Sequence, residues 1–167
     1  NKGNLSKYAT DGNPTTRWCA ANGAAGSWLQ VDLGHIQDIQ NIRIIWEKTN
    51  SAYQYKVEGS INKKQWKLLV DQSENKEVRQ ITAHKVNAKK IRYFKVTYLS
   101  SKPAYWGSFW EFEAYEGDLP ELPRKVKKAS QKSANPTPKT NDPRISAPEG
   151  FNLTVFAKPP LVNYPVC

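Results

Sequence analysis

The chain has 167 residues, six tryptophans and a formal net charge of +10, enough for one compact domain and an additional segment. No apolar run is long enough to cross a bilayer as a helix; the first residues, Asn1-Lys2-Gly3-Asn4, lack the apolar core of a signal peptide and fit a segment of a longer protein. The basic excess is spread, +6 over residues 1–117 and +4 over residues 118–167, whereas a nucleic-acid stripe would be clustered and interleaved with aromatics, so nucleic acid is excluded as a partner.

Taken in chain order, β-like runs between turn signals are predicted at residues 28–33, 39–46, 53–60, 66–70, 78–83, 91–99 and 108–115. Ile42, Ile44 and Trp46 form one apolar face; Trp110, Phe112 and Ala114 form another, with Glu111 and Glu113 opposite. Such period-two alternation predicts sheets with one buried face. Short strands without an amphipathic helix predict an all-β antiparallel β-sandwich or jelly roll. Residues 20–27, 47–52 and 100–107 are the connecting loops. All six Trp precede residue 118, and nine of the eleven Pro follow Gly117, which places a domain boundary there. Residues 118–149 are rich in Pro, Lys, Ser, Thr and Asn and hold few large apolar side chains, so they predict an extended linker. Its densest charge run, Arg124-Lys125-Val126-Lys127-Lys128, reads as solvated. Phe151-Asn152-Leu153-Thr154-Val155-Phe156 alternates like one strand and begins a further domain, residues 150–167, that is cut off.

The candidate chemistry is sparse. The two cysteines, Cys19 and Cys167, show no metal spacing and are not expected to pair. Cys19 fits a small apolar role. His35 and His84, the only histidines, have no partner that the sequence can defend and are expected at the surface. Trp18, Trp28, Trp66 and Trp110 lie inside strand motifs and are expected to pack; Trp46 and Tyr53 fit either a rim or the core. Arg17 and Asp32 fit a structural ion pair or backbone clamps. No facing carboxylate pair, phosphate loop or dinucleotide fingerprint is present, so the chain does not read as an enzyme. Asp11-Gly12-Asn13 followed by Thr16 is a tight loop of oxygen donors; it fits an ordinary turn or a hard-cation site.

Three segments carry a resemblance: Ala9-Thr10-Asp11-Gly12-Asn13-Pro14-Thr15-Thr16-Arg17-Trp18, Trp28-Leu29-Gln30-Val31-Asp32-Leu33-Gly34, and Phe109-Trp110-Glu111-Phe112-Glu113-Ala114-Tyr115. In this order and spacing residues 4–117 resemble the discoidin domain, the coagulation factor V/VIII type C domain. Arg17-Trp18-Cys19-Ala20 and the stretch from Trp46-Glu47 through Val57-Glu58-Gly59-Ser60 to Trp66 resemble the bacterial members, the family-32 carbohydrate-binding modules of secreted glycoside hydrolases. The resemblance implies a galactose-binding-domain-like jelly roll, an extracellular or periplasmic location and a glycan as partner. It also implies a structural Ca2+ held by Asp11, Asn13 and Glu111, with carbonyls of Tyr8, Thr16 and Trp110. The family's Gly-Tyr-Ser-Leu-Trp-Glu stands here as Trp106-Gly107-Ser108-Phe109-Trp110-Glu111, and the usual strand before the first motif is missing. Residues 147–166 are similar to the start of the β-propeller of soluble sugar dehydrogenases, which implies a module tethered to a further domain.

Sugar recognition needs a flat aromatic face and planar polar groups. Tyr105 and Trp106 lie outside alternating strand positions and are the expected platform. Glu47, Lys48 and Asn50 are the expected polar partners, with Asn22 reaching the same rim. The competing functions are a lipid- or protein-binding adhesion module, which wants apolar loop spikes beside basic residues, and a spacer that binds nothing.

Overall fold

The computed structural model describes residues 3–122. Residues 3–119 belong to one folded unit, and residues 120–122 carry no strand or helix. The rest of the predicted linker, the stretch 150–167 and Cys167 lie outside the described residues.

A 3-10 turn, Ser6–Ala9, is followed by β1 (Trp18–Cys19), β2 (Trp28–Trp46), β3 (Ala52–Ser60), β4 (Lys67–Asp71), β5 (Ile81–Lys102) and β6 (Ser108–Tyr115). All pairings are antiparallel, in the order β1-β6-β2-β5-β3-β4. Two long strands make this ribbon a sandwich. The first part of β2 pairs with the last part of β5 (Trp28↔Thr97 to Asp32↔Tyr93), and its last part pairs with the start of β5 (Asn41↔Lys85 to Ile45↔Ile81). Between them the register shifts three times, from Asp32 to Asn41. Such irregularities bend and twist a strand, so β2 and β5 each pass from one layer to the other. One layer then holds β1, β6 and the inner ends of β2 and β5; the other holds their outer ends with β3 and β4.

The sequence-predicted runs 28–33 and 39–46 are thus one continuous strand, because Gly34 at φ +83° turns the backbone without ending the ladder. Residues 91–99 join residues 81–83 in the same way. Residues 78–80 carry no strand; Asn75, donating to the carbonyls of Tyr53 (2.9 Å) and Glu77 (3.2 Å), shapes that loop instead.

The core lies between the layers. Ile42, Ile44 and Trp46 of β2 and Phe112 of β6 meet Tyr53, Tyr55 and Val57 of β3 and Phe94 and Val96 of β5. Trp46 is fully buried, stacked on Tyr53 (4.2 Å between centroids), tilted on Tyr55 (4.7 Å) and edge-on to Phe109 (5.7 Å). Its Nε1 donates to Thr82 Oγ1 at 3.1 Å, satisfying the indole N–H where water cannot reach.

Several expectations are corrected here. Of the four tryptophans assigned to packing, only Trp18 is buried. Trp28 is 40% exposed, because it shares strand parity with the half-buried Gln30 rather than with the buried Leu29 and Val31. Trp66 is half-buried on the outside, with the Lys95 ammonium 4.6 Å over its ring; Trp110 is half-buried beneath Arg17. His84 is half-buried rather than free at the surface: it lines an open cleft, lies 2.7 Å from Tyr55 Oη, and burial holds its pKa below the usual histidine value. Arg17 and Asp32 pair with other groups: Asp32 accepts two bonds from Arg92 (2.9 and 3.1 Å), and Arg17 lies 3.4 Å from Glu47. Cys19 is buried and free.

Candidate functional site

The loops 47–51 and 103–107 meet at one end of the sandwich around an open depression of about 330 Å³, and loop 20–27 abuts it where Gly23 meets Trp106. Trp106, Tyr105, Lys48, Glu47 and Arg17 line it, with Cys19 and Ala104. The aromatic loop is clamped from beneath. Tyr98 Oη donates to the Tyr105 carbonyl at 2.6 Å, the Tyr105 N–H donates to Ser101 Oγ at 2.9 Å, and Ser51 Oγ donates to the Pro103 carbonyl at 2.9 Å. Gly107 lies so close to Tyr98 that a Cβ would meet its Cβ and Cγ at 2.8 Å. Trp106 follows this anchored backbone outward and is 46% exposed. Gly23 supports it from the side; a Cβ there would meet Trp106 Cδ1 at 2.9 Å.

The polar wall is ordered as well. Glu47 accepts from Lys48 Nζ (2.9 Å) and Ser108 Oγ (2.8 Å), with Arg17 Nε 3.4 Å away. Burial pushes its carboxyl up, but the Lys48 and Ser108 hydrogen bonds and the Arg17 charge outweigh that, and the net shift is downward. Glu47 is a carboxylate at neutral pH. The Lys48 N–H donates to Tyr53 Oη at 3.3 Å, and burial raises the Tyr53 phenol to about 12, so it stays protonated. Lys48 Nζ also sits 5.3 Å over the Tyr105 ring, whose Oη is 3.4 Å from Asn50 Nδ2.

Trp106, Tyr105, Glu47 and Lys48 therefore share one depression, with Asn50 at its edge. Asn22 does not line it; its Oδ1 accepts the Ala24 N–H at 2.9 Å, shaping the loop that carries Gly23. Sequence reasoning missed Arg17 as a site residue. The register Cys19↔Ser108 brings β1 beside the start of β6, and nothing in local composition announces that pairing.

A second cluster lies where the loop after the 3-10 turn crosses β6. Asp11 and Glu111 are hydrogen-bonded to each other, and the Gly12 N–H donates to Glu111. Burial first, then the Asp11 charge, raises the Glu111 carboxyl to about 8. Glu111 is 7% exposed, and its Oε1 is buried with no hydrogen-bond partner. Two carboxyl groups held together, one with an orphaned oxygen, fit a hard divalent cation, which favours carboxylate oxygens. Asn13 Oδ1 accepts both the N–H (3.0 Å) and the hydroxyl (2.7 Å) of Thr15, so it would join a cation by exchanging one of these. Thr16 Oγ1 donates to Asp11 at 2.8 Å, and the turn carrying Tyr8 packs on β6, the strand of Trp110.

A bent two-layer jelly roll with an open, aromatic-edged site among its end loops is a galactose-binding-domain-like β-sandwich. Residues 8–96 match the F5/F8 type C family described as the NedA-like, galactose-binding domain, and the chain belongs to it. Among solved structures it is similar to chitosan-binding module 1 of a chitosanase/glucanase from Paenibacillus sp. IK-5: 26% identity, 69% of this chain and 87% of that one covered, TM-score 0.61. It is similar to CpGH89CBM32-6 of Clostridium perfringens at 25% identity, covering 70% of this chain and 88% of that one, with TM-score 0.59. A pectin-binding carbohydrate-binding module shares the fold at 24% identity, 73% and 86% coverage and TM-score 0.62. No curated protein matches the sequence. Among the described residues no helix is long and apolar enough to cross a membrane.

Proposed function

We propose that this domain is a non-catalytic carbohydrate-binding module that holds a terminal sugar or short glycan in the depression at the loop end. The observation that carries this is the exposed Trp106 indole on a clamped backbone, beside the ordered polar groups of Glu47 and Lys48. The indole and Tyr105 offer the C–H face of a pyranose an apolar surface; Glu47, Lys48 and Asn50 meet its hydroxyls, and Asn22 holds the flanking loop. Carboxylates facing across a cleft would be needed for glycoside hydrolysis, and Asp11 and Glu111 instead bond to each other. The module would serve a secreted protein, tethering a further domain to glycan.

A structural Ca2+ completes this reading. Asp11 and Glu111 would hold it, with Asn13 and the carbonyls of Tyr8, Thr16 and Trp110 filling the shell. The buried, unpartnered Glu111 Oε1 supports it.

Binding is expected to be weak, with Kd roughly 0.1–1 mM, because a small open site removes little area from water. A glycan array followed by NMR titration tests the proposal. Trp106→Ala should remove most of the binding and leave Tm unchanged. If no glycan moves the Trp106 indole resonance at high millimolar concentration, the carbohydrate reading fails.

A further inference from the structure

Charge around the depression is unequal. It is lined by two cations, Arg17 and Lys48, and one carboxylate, Glu47. The carboxylate is already engaged: Oε1 by Lys48, and Oε2 by Ser108 and the nearby Arg17. Both cations pair with it, but they keep donors to spare. Lys48 has three N–H donors and spends one on Glu47. The Arg17 guanidinium lies over the Trp110 ring at 5.5 Å and beside Glu47, yet none of its five donors makes a hydrogen bond among the described residues, and its Nε is shielded from water. The Arg17 side chain is 31% exposed and that of Lys48 37%, so both can be reached from the depression. With its central carbon 5.5 Å from the Trp110 ring centroid, the guanidinium keeps N–H donors for a partner in the depression.

We infer that the sugar bound here carries a carboxylate, which Arg17 and Lys48 receive while its ring rests on Trp106; this rests on the carbohydrate reading above. A planar carboxylate matches the guanidinium fork and supplies acceptors only, as the unspent donors require. An amino sugar would bring a further cation to a site whose one carboxylate is taken. A neutral sugar would leave the net positive charge uncompensated. Glu47 opposes the incoming anion while aligning both cations for it.

The test uses the whole 167-residue chain and matched methyl glycosides: galactoside against galacturonide, glucoside against glucuronide, mannoside against mannuronide. Each pair differs only in the oxidation state of C6. Titrations are followed by NMR at low salt. At least one uronide should bind about tenfold tighter than its neutral partner, as charge-assisted bonds do, and the gap should narrow in about 0.5 M NaCl. Lys48→Gln should reduce the preference, and Arg17→Gln should remove it while some neutral-sugar affinity remains. Glu47→Gln should strengthen uronide binding, a sign that a merely structural Glu47 would not give. If Arg17→Gln fails to fold, Lys48→Gln and Glu47→Gln decide. Neutral sugars bound as well as their uronides at the Trp106 indole would overturn the acidic-sugar inference and keep the carbohydrate reading. A uronide preference untouched by Lys48→Gln and Glu47→Gln would overturn it too. Silence from both members of every pair would overturn both.

Discussion

Trp106 owes its position to a residue with no side chain. Gly23 is not at positive φ, so alanine costs its backbone little. The added Cβ would nevertheless sit 2.9 Å from the indole Cδ1 and 3.3 Å from Nε1, too close for either to stay. Gly23→Ala should therefore tilt the platform and weaken sugar binding about tenfold, since such sites tolerate only about 0.5 Å of misplacement. Tm should stay within about 2 °C, since the indole can swing into solvent; NMR titration beside a thermal melt checks both. At this scale the loop position of Tyr105 and Trp106 was legible, because both break the strand alternation. Gly23 was not, because a contact across two loops leaves no mark in either.

Strands β3 and β5 share a partly buried polar chain in which His84 meets Tyr55, Tyr55 meets Thr82 at 3.0 Å, and Thr82 meets the Trp46 indole. Burial lowers the His84 pKa, and burial raises that of Tyr55 to about 12, so both are neutral in the fold. Glu74, Lys76, Glu77 and Arg79 of the neighbouring loop face the same cleft and balance in charge. The unfolded chain takes up the histidine proton more readily than the folded one. Stability from this group is thus fully present above the unfolded value of about 6.5 and declines as pH falls below it. Melts from pH 7.5 to 5.5 should show wild type losing more stability than His84→Gln; parallel curves would mean that His84 titrates freely. The predicted run ended at residue 83, so the sequence left His84 outside the strand and at the surface. The bend that carries β5 onward depends on its pairing with β2.

Across the whole domain, calcium would join the N-terminal loop to the last strand. An ion bound only by the folded state stabilises it by about 2.7 kcal/mol at a hundredfold excess over Kd, a rise on the order of 10 °C for a domain of this size. Tm should be higher in millimolar Ca2+ than in chelator, and Glu111→Gln should melt at the same temperature in both. A wild-type protein indifferent to chelator would remove the ion from the account. Trp46 in the core and Trp106 in the loop act at opposite ends of the same scale. Trp46→Ala should destabilise the fold by about 3–5 kcal/mol, the usual cost of emptying a core aromatic, whereas Trp106→Ala should alter binding alone. Denaturant midpoints for the pair check this directly.

The all-β class, the inward faces of Ile42, Ile44 and Phe112, and the loop placement of Tyr105 and Trp106 follow from the sequence itself, because strand alternation and turn chemistry are local. Asp11 and Glu111 were linked only through the family resemblance, being a hundred positions apart. Tertiary structure decided the rest. It turned Trp28 and Trp66 outward, buried Trp46, half-buried His84, and brought Arg17 beside Glu47 and over Trp110. Each of these depends on register between strands distant in the chain, where a shift of one residue exchanges the two faces. Local composition does not encode that register; it is fixed when the two layers close on a common core.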